Sequence, residues 1–255
     1  MKNASLSAMA VLVLATAGGC PRRQPAPDWG PYACAEEVLR AARRQRQEIS
    51  SLRATAVVTV QRGSRRTKMR AALAVRRPAD LRLECESFFG QPLWVLVSDG
   101  FSYQLWRAED GTVGRGQATA QEMMQLLSLP LDGVELVGTM LGEPPLIAWA
   151  SSSLARDGRR RRWQIELSNS RQPQSLALDA ESLFPLALST WEERRLLYRV
   201  TLEAQKGEGA LPLPREIYFR MPAQDIGVQI RLRELELNPP IDEAVFSLAT
   251  GKPSP

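Results

Sequence analysis

The 255-residue chain contains no histidine. That removes the Ser-His-Asp triad, the Cys-His pair and every metal site that needs imidazole. Cysteine is scarce as well: Cys20, Cys34 and Cys85 are the three, and no two of them form a C-x-x-C pair, so no thiolate zinc or iron–sulfur site is expected. Aromatic residues make up 6% of the chain, and no apolar run reaches the ~20 residues a membrane-spanning helix requires. With 44% hydrophobic and 24% charged residues, disorder and a multi-span membrane protein are excluded. Neither a catalytic residue nor a metal or cofactor is expected. A binding or carrier protein is the class that survives.

The N-terminus carries an address. Lys2 precedes an uncharged, mostly apolar run from Ala8 to Ala17, the length of a signal-peptide core. It ends in Ala17-Gly18-Gly19-Cys20, small residues directly before a cysteine. This resembles a bacterial lipoprotein signal, with Ala17 where such motifs prefer Leu. The resemblance implies cleavage after residue 19 and a covalent lipid, such as palmitate, on Cys20. It also implies an outer-membrane address, because Pro21 rather than Asp follows the cysteine. Residues 20–33, with Pro21, Pro25, Pro27 and Pro31, read as an extended tether. Loss of residues 1–19 removes one charge, Lys2, taking the net charge from +5 to +4. That mild excess suits anionic lipid and does not imply nucleic acid. Cys34 and Cys85 are left either to pair as a disulfide or to stay reduced.

Beyond the tether, Ala35 to Ser50 has helical spacing, with Val38, Leu39, Ala42 and Ile49 on one face and Arg43, Arg44 and Arg46 largely on the other. The period then switches to two. Five strands follow: Leu52–Val60, Met69–Val75, Leu81–Cys85, Trp94–Ser98 and Phe101–Trp106, the last two joined by Asp99-Gly100. Six more run from Trp163 to Leu237, with a phase shift that predicts a bulge near Glu234. Between the groups, Thr119 and Glu122 suggest a capping box before a helix bearing Met123, Met124 and Leu127. A second short helix is expected over Val134–Leu141. About eleven antiparallel strands share one apolar face, and two short helices cannot cover such a sheet if it stays flat. Either a two-sheet sandwich or a half-barrel around a hollow satisfies the pattern.

Three segments carry a resemblance: Arg82 to Leu93, with its Phe88-Phe89-Gly90 turn; Ala118 through Leu131 and Leu136 to Pro145; and Leu235 to Phe246. Together they resemble the LolA/LolB lipoprotein-localisation superfamily, most closely its outer-membrane receptor branch. The resemblance covers most of residues 35–247. It implies a mainly β, α+β fold: an unclosed antiparallel half-barrel of about eleven strands with a helical lid over an apolar cavity. That domain would span residues 34–248, followed by a short tail, 249–255. Met123, Met124, Leu127, Leu136 and Met140 would be the lid and the contacts for acyl chains. Phe88, Phe89, Gly90 and Leu93 would be the membrane-insertion loop, with two aromatics where the branch has one aliphatic residue. The implied partners are a periplasmic LolA-like carrier, passenger lipoproteins and outer-membrane lipid, met by a monomer. The implied task is non-covalent transfer of lipoproteins into the outer membrane. An envelope regulator or sensor on the same fold, and a structural lipoprotein, are the rivals.

Polar clusters are read more plainly. Arg62, Arg65 and Arg66, and Arg159 to Arg162 beside Arg156, read as solvated hairpin tips. Glu192-Glu193 and Asp179 with Glu181 are the one pairing of acids that glycoside hydrolysis would need, and nothing else in the sequence supports such a site.

Overall fold

A computed structural model describes residues 27–204 and 211–248. Cys20, the signal segment, most of the tether and the tail lie outside the described residues. A helix, α1 (Ala35–Gln47), opens the domain, and two strand meanders follow. The first comprises β1 (Ser51–Arg62), β2 (Arg65–Arg76), β3 (Asp80–Ser87), β4 (Pro92–Ser98), β5 (Ser102–Arg107) and β6 (Val113–Gln117). Helices α2 (Ala120–Leu127) and α3 (Gly133–Met140) come next. The second meander comprises β7 (Ser151–Asp157), β8 (Arg162–Ser168), β9 (Pro173–Asp179), β10 (Pro185–Glu192), β11 (Arg195–Ala204), β12 (Pro214–Met221) and β13 (Ile226–Leu237).

Pairing of β1 with β13 joins the meanders into one 13-stranded antiparallel sheet, ordered β6-β5-β4-β3-β2-β1-β13-β12-β11-β10-β9-β8-β7. The count is thirteen, not eleven, and the sandwich alternative is excluded. The two strands missing from the sequence reading, β6 and β7, are the sheet's edges. VGRGQ and SSSLARD lack the apolar alternation of central strands, because an edge strand has a neighbour on only one side to pack against.

Register explains why one face is apolar. Ile165, Leu176, Leu188, Val200, Phe219 and Val228 lie opposite one another on successive strands, so they share a side. A flat 13-stranded sheet would be about 60 Å across at ~4.8 Å per strand, far more than two eight-residue helices cover. Buried residues of β1–β5 and β11–β13 instead meet α3 in one cluster that includes Leu52, Leu96, Val137, Phe219 and Leu232. Helix α1 covers the other end, packing Val38 and Leu39 with Trp163, Ile165 and Leu176. The bulge falls where the phase shift puts it. Register slips between Arg53 and Thr55, and Glu234 takes a positive φ of 47°.

Local expectations fare unevenly. Helix α1 ends three residues short of Ser50, and Ile49 turns under it into the core. Arg46 does not stand on a solvated face. It is buried, gives a hydrogen bond to the Pro212 carbonyl and lies over the Phe184 ring at 5.6 Å. The capping box belongs to Asp132 and Glu135 at the start of α3. Thr119 does accept from the Glu122 N–H at 3.3 Å, but the Glu122 carboxylate accepts from the Tyr103 hydroxyl instead. Cys34 and Cys85 are free thiols: Cys34 is exposed at the start of α1, and Cys85 is buried on β3 in the other cluster. The expected alternative of a disulfide between them is therefore corrected.

Candidate functional site: an apolar cavity under two helices

The chain leaves β6 at one edge of the sheet and enters β7 at the other, so residues 118–150 must cross the apolar face. That crossing carries α2 and α3, and a cavity of about 340 Å³ remains beneath it. Its floor is β1, β2, β3 and β13, through Ala56, Val58, Val60, Met69, Ala71, Leu73, Leu83, Cys85, Val228 and Ile230; Trp94 closes the side. Leu126, Leu127, Leu129, Leu136 and Met140 form the roof. Val58, Val60, Met69, Leu83, Leu126 and Leu127 are only half-buried, because they face this hollow rather than one another. The volume is at the lower end of the ~300–1,000 Å³ range of ligand pockets.

Leu127, Leu136 and Met140, three of the five residues expected in the lid, line the cavity. Met123 is fully buried and Met124 packs against the core; neither is among the lining residues. Period alone did not separate these faces, because α2 is only eight residues long and apolar on more than one side.

Polar groups gather at one end. Arg62, Arg65, Thr67 and Ser128 rim the cavity where β1 turns into β2. There the Arg62 Nη2 donates to the Ser128 Oγ at 2.6 Å. Ser128 caps the C-terminus of α2 in the left-handed conformation, φ 62°, so the bond ties the β1–β2 tip to the end of the roof helix. Arg62 is thus exposed at the hairpin tip, as its reading had it, and also ties that tip to the roof. The opposite end of the roof is fixed by close packing. A Cβ on Gly133 would fall 2.7 Å from the Gly100 carbonyl oxygen, so only glycine lets α3 begin there.

The β3–β4 turn lies at the rim end. Gly90, at φ 83°, gives its N–H to the Ser87 carbonyl at 3.0 Å, and the Gln91 N–H reaches the Ser87 hydroxyl at 3.1 Å. This closes the turn and leaves Phe88 55% and Phe89 91% exposed, with Leu93 37% exposed beside them. The two rings meet edge to face, centroids 6.5 Å apart.

The other polar clusters form no site. Arg160 and Arg162 pair with Asp157, and Arg161 pairs with Glu181. Asp179 accepts from the Glu181 and Ser182 N–H groups at the start of the β9–β10 connection, while Glu192 ends β10 at the far side of the sheet. Those acids cannot flank one bond. A wider groove of about 1,150 Å³ lies on the opposite face of β1–β5, crossed by the paired charges Arg53–Glu236 and Arg82–Glu84. Burial pushes the thiol of Cys85, in the cavity floor, up to about 12, which disfavours its thiolate.

These residues build an unclosed antiparallel sheet curled around an apolar hollow, with a helical roof and a polar rim. Two solved structures share this fold at low sequence identity. One is a LolA superfamily protein from Nitrosomonas europaea, with a TM-score of 0.60 and 11% identity over 85% of this chain and 99% of that one. The other, from Vibrio parahaemolyticus, is described as a putative outer membrane lipoprotein-sorting protein domain. Its TM-score is 0.55 at 10% identity, over 83% of this chain and 97% of that one. A DUF1329 family protein from Desulfovibrio piger is similar too, at TM-score 0.58 and 13% identity over 83% and 96%. No family model matches the sequence, and no curated protein matches it. At 10–13% identity these likenesses establish a shared fold and nothing finer.

Proposed function

We propose that this protein is a lipid-anchored envelope protein that holds lipoprotein acyl chains in the cavity and passes them to the outer membrane. The observation that carries the proposal is the cavity itself: its floor and roof are aliphatic, aromatic and thioether side chains, and its few polar groups stand at one end. Leaving a ~16-carbon chain in water forgoes on the order of 12 kcal/mol at ~0.8 per CH₂, so a lipoprotein crossing an aqueous space needs such a container. Transfer breaks no covalent bond and therefore uses no nucleophile, metal or cofactor. It requires only that affinity for the acyl chains rise in order from carrier to this protein to bilayer.

In this reading Cys20 bears the anchoring lipid, a LolA-like carrier delivers the passenger, and the protein acts as a monomer at the outer membrane. The exposed Phe88-Phe89 turn, at the rim end of the cavity, is its contact with the bilayer.

Filling the cavity tests the proposal. Ala71 lies on the floor, so Ala71→Phe places a ring in the void. Binding of a fluorescent fatty acid is expected to fall at least ten-fold, with the unfolding midpoint preserved. In cells depleted of the parent protein, the variant is expected to leave other lipoproteins out of the outer-membrane fraction. Normal delivery by a variant with a filled cavity would overturn the reading.

A further inference from the structure

Two neighbouring hairpin tips stand at the rim end of the cavity, and their side chains are of two kinds. Phe88 and Phe89 project from the β3–β4 turn, where Phe89 is the most exposed large apolar residue described. Arg65, Arg66 and Lys68 open β2 beside them, all exposed, and none enters an ion pair among the described residues. Two neighbouring cations are matched: Arg70 holds Glu86 at 2.8 Å, and Arg220 holds Asp225 at 3.2 Å. The Lys68 Nζ sits 5.1 Å from the Phe88 ring centroid, so cation and aromatic form one surface.

We infer that this surface docks onto a bilayer carrying anionic headgroups, with Arg65, Arg66 and Lys68 engaging phosphates while Phe88 and Phe89 enter the interface. The inference rests on the acyl-carrier reading and adds to it the chemistry of the surface that receives the cargo. Aromatic rings bordered by unpaired cations are the composition of membrane-interface segments. A protruding pair of phenylalanines gives weak contact alone, and stable attachment takes a second signal. Each cation near an anionic surface raises affinity about five-fold, within a Debye length of ~8–10 Å. Geometry favours a bilayer over an acidic protein partner. The rings are the outermost groups of their turn, and Arg62 and Arg65 also rim the cavity, so docking turns the mouth toward the lipid.

The test uses the full chain with Cys20→Ser, which no covalent lipid can anchor, and vesicles of phosphatidylcholine with or without 30% phosphatidylglycerol. Cosedimentation is expected to show at least ten-fold tighter binding to the anionic vesicles at 50 mM salt, and the preference is expected to vanish at 500 mM. Arg65→Gln/Arg66→Gln/Lys68→Gln should reduce anionic binding to the neutral level while the unfolding midpoint stays at the parent's. Phe88→Ser/Phe89→Ser should weaken binding to both vesicles. Equal binding of the parent to both compositions overturns the inference; so does a triple variant that keeps the preference. If that variant binds vesicles like the parent yet accepts passengers from its carrier poorly, the cations serve a protein partner and the inference fails. Should the triple variant not fold, the parent's salt dependence decides alone. Failure of the parent to bind fatty acid would sink the cavity reading and leave the vesicle result standing.

Discussion

Arg62 and Ser128 hold the end of the roof helix against the sheet through one hydrogen bond of 2.6 Å. Ser128 is buried, whereas Arg62 reaches it from an exposed strand end. The bond is therefore the attachment of the roof at the rim, and the Gly100–Gly133 contact is its attachment at the other end. Arg62→Ala is expected to leave the global unfolding midpoint nearly unchanged and to speed backbone amide exchange over residues 119–131. Fatty-acid uptake should quicken several-fold, because a local opening limits entry. Ser128→Ala should do the same, and the double variant should do no more, since both remove one interaction. Additive effects of the two would refute a shared latch.

The fixed end makes the opposite prediction. Gly100, at φ 91°, has no room for a Cβ, which would lie 2.3 Å from the Ala79 Cβ. Gly133 is tight against the Gly100 backbone too, with 2.7 Å to its carbonyl oxygen. Gly133→Ala must push α3 off the β4–β5 turn, and overpacking of this kind costs about 1–3 kcal/mol. Chemical denaturation should show that loss, and exchange should rise at residues 133–141 rather than at the rim. A variant as stable as the parent would mean the contact is slack.

The strand face and the bulge at Glu234 were legible because central strands must present an unbroken apolar row to the core. The edges β6 and β7 were not, because half their surroundings are solvent and their residues answer to no period. Phe88 and Phe89 stood out as paired aromatics in a turn, a placement that burial does not explain. Arg62 looked like its neighbours Arg65 and Arg66. Only the crossing of residues 118–150 over the sheet, a long-range consequence of β1 pairing with β13, brings Ser128 to it. Arg46 was hidden for the same reason, since its partners Phe184 and Pro212 lie far along the chain.

The two thiols should report on the cavity. Cys34 is exposed, while burial pushes the Cys85 thiol up to about 12, so Cys85 stays protonated through the neutral and mildly alkaline range. The thiolate is the reactive form. In a chain with Cys20→Ser, maleimide at pH 8 should modify Cys34 rapidly and Cys85 only after unfolding. Arg62→Ala should accelerate modification of Cys85, and bound fatty acid should slow it. Equal labelling of both thiols in the folded parent would place Cys85 outside a closed cavity.

The capping box of α3 supplies a pH-dependent prediction. The Asp132 carboxylate accepts from the Glu135 N–H at 2.8 Å, and the Glu135 carboxylate accepts from the Asp132 N–H at 3.0 Å. Burial pushes the Glu135 carboxyl above its ordinary range; the Asp132 N–H opposes that rise, and the Asp132 charge adds to it. A carboxyl raised by folding favours the folded state at pH below its unfolded pKa, and that contribution is lost as pH rises through the folded pKa. Glu135→Gln keeps an acceptor for the Asp132 N–H and carries no charge. Its urea midpoint should therefore equal the parent's near pH 4 and lie above it at pH 7, whereas Glu135→Ala, which loses the bond, should fall below the parent throughout. A Gln variant less stable at pH 7 than the parent would show that the ionised carboxylate, and not its burial, dominates at this helix start.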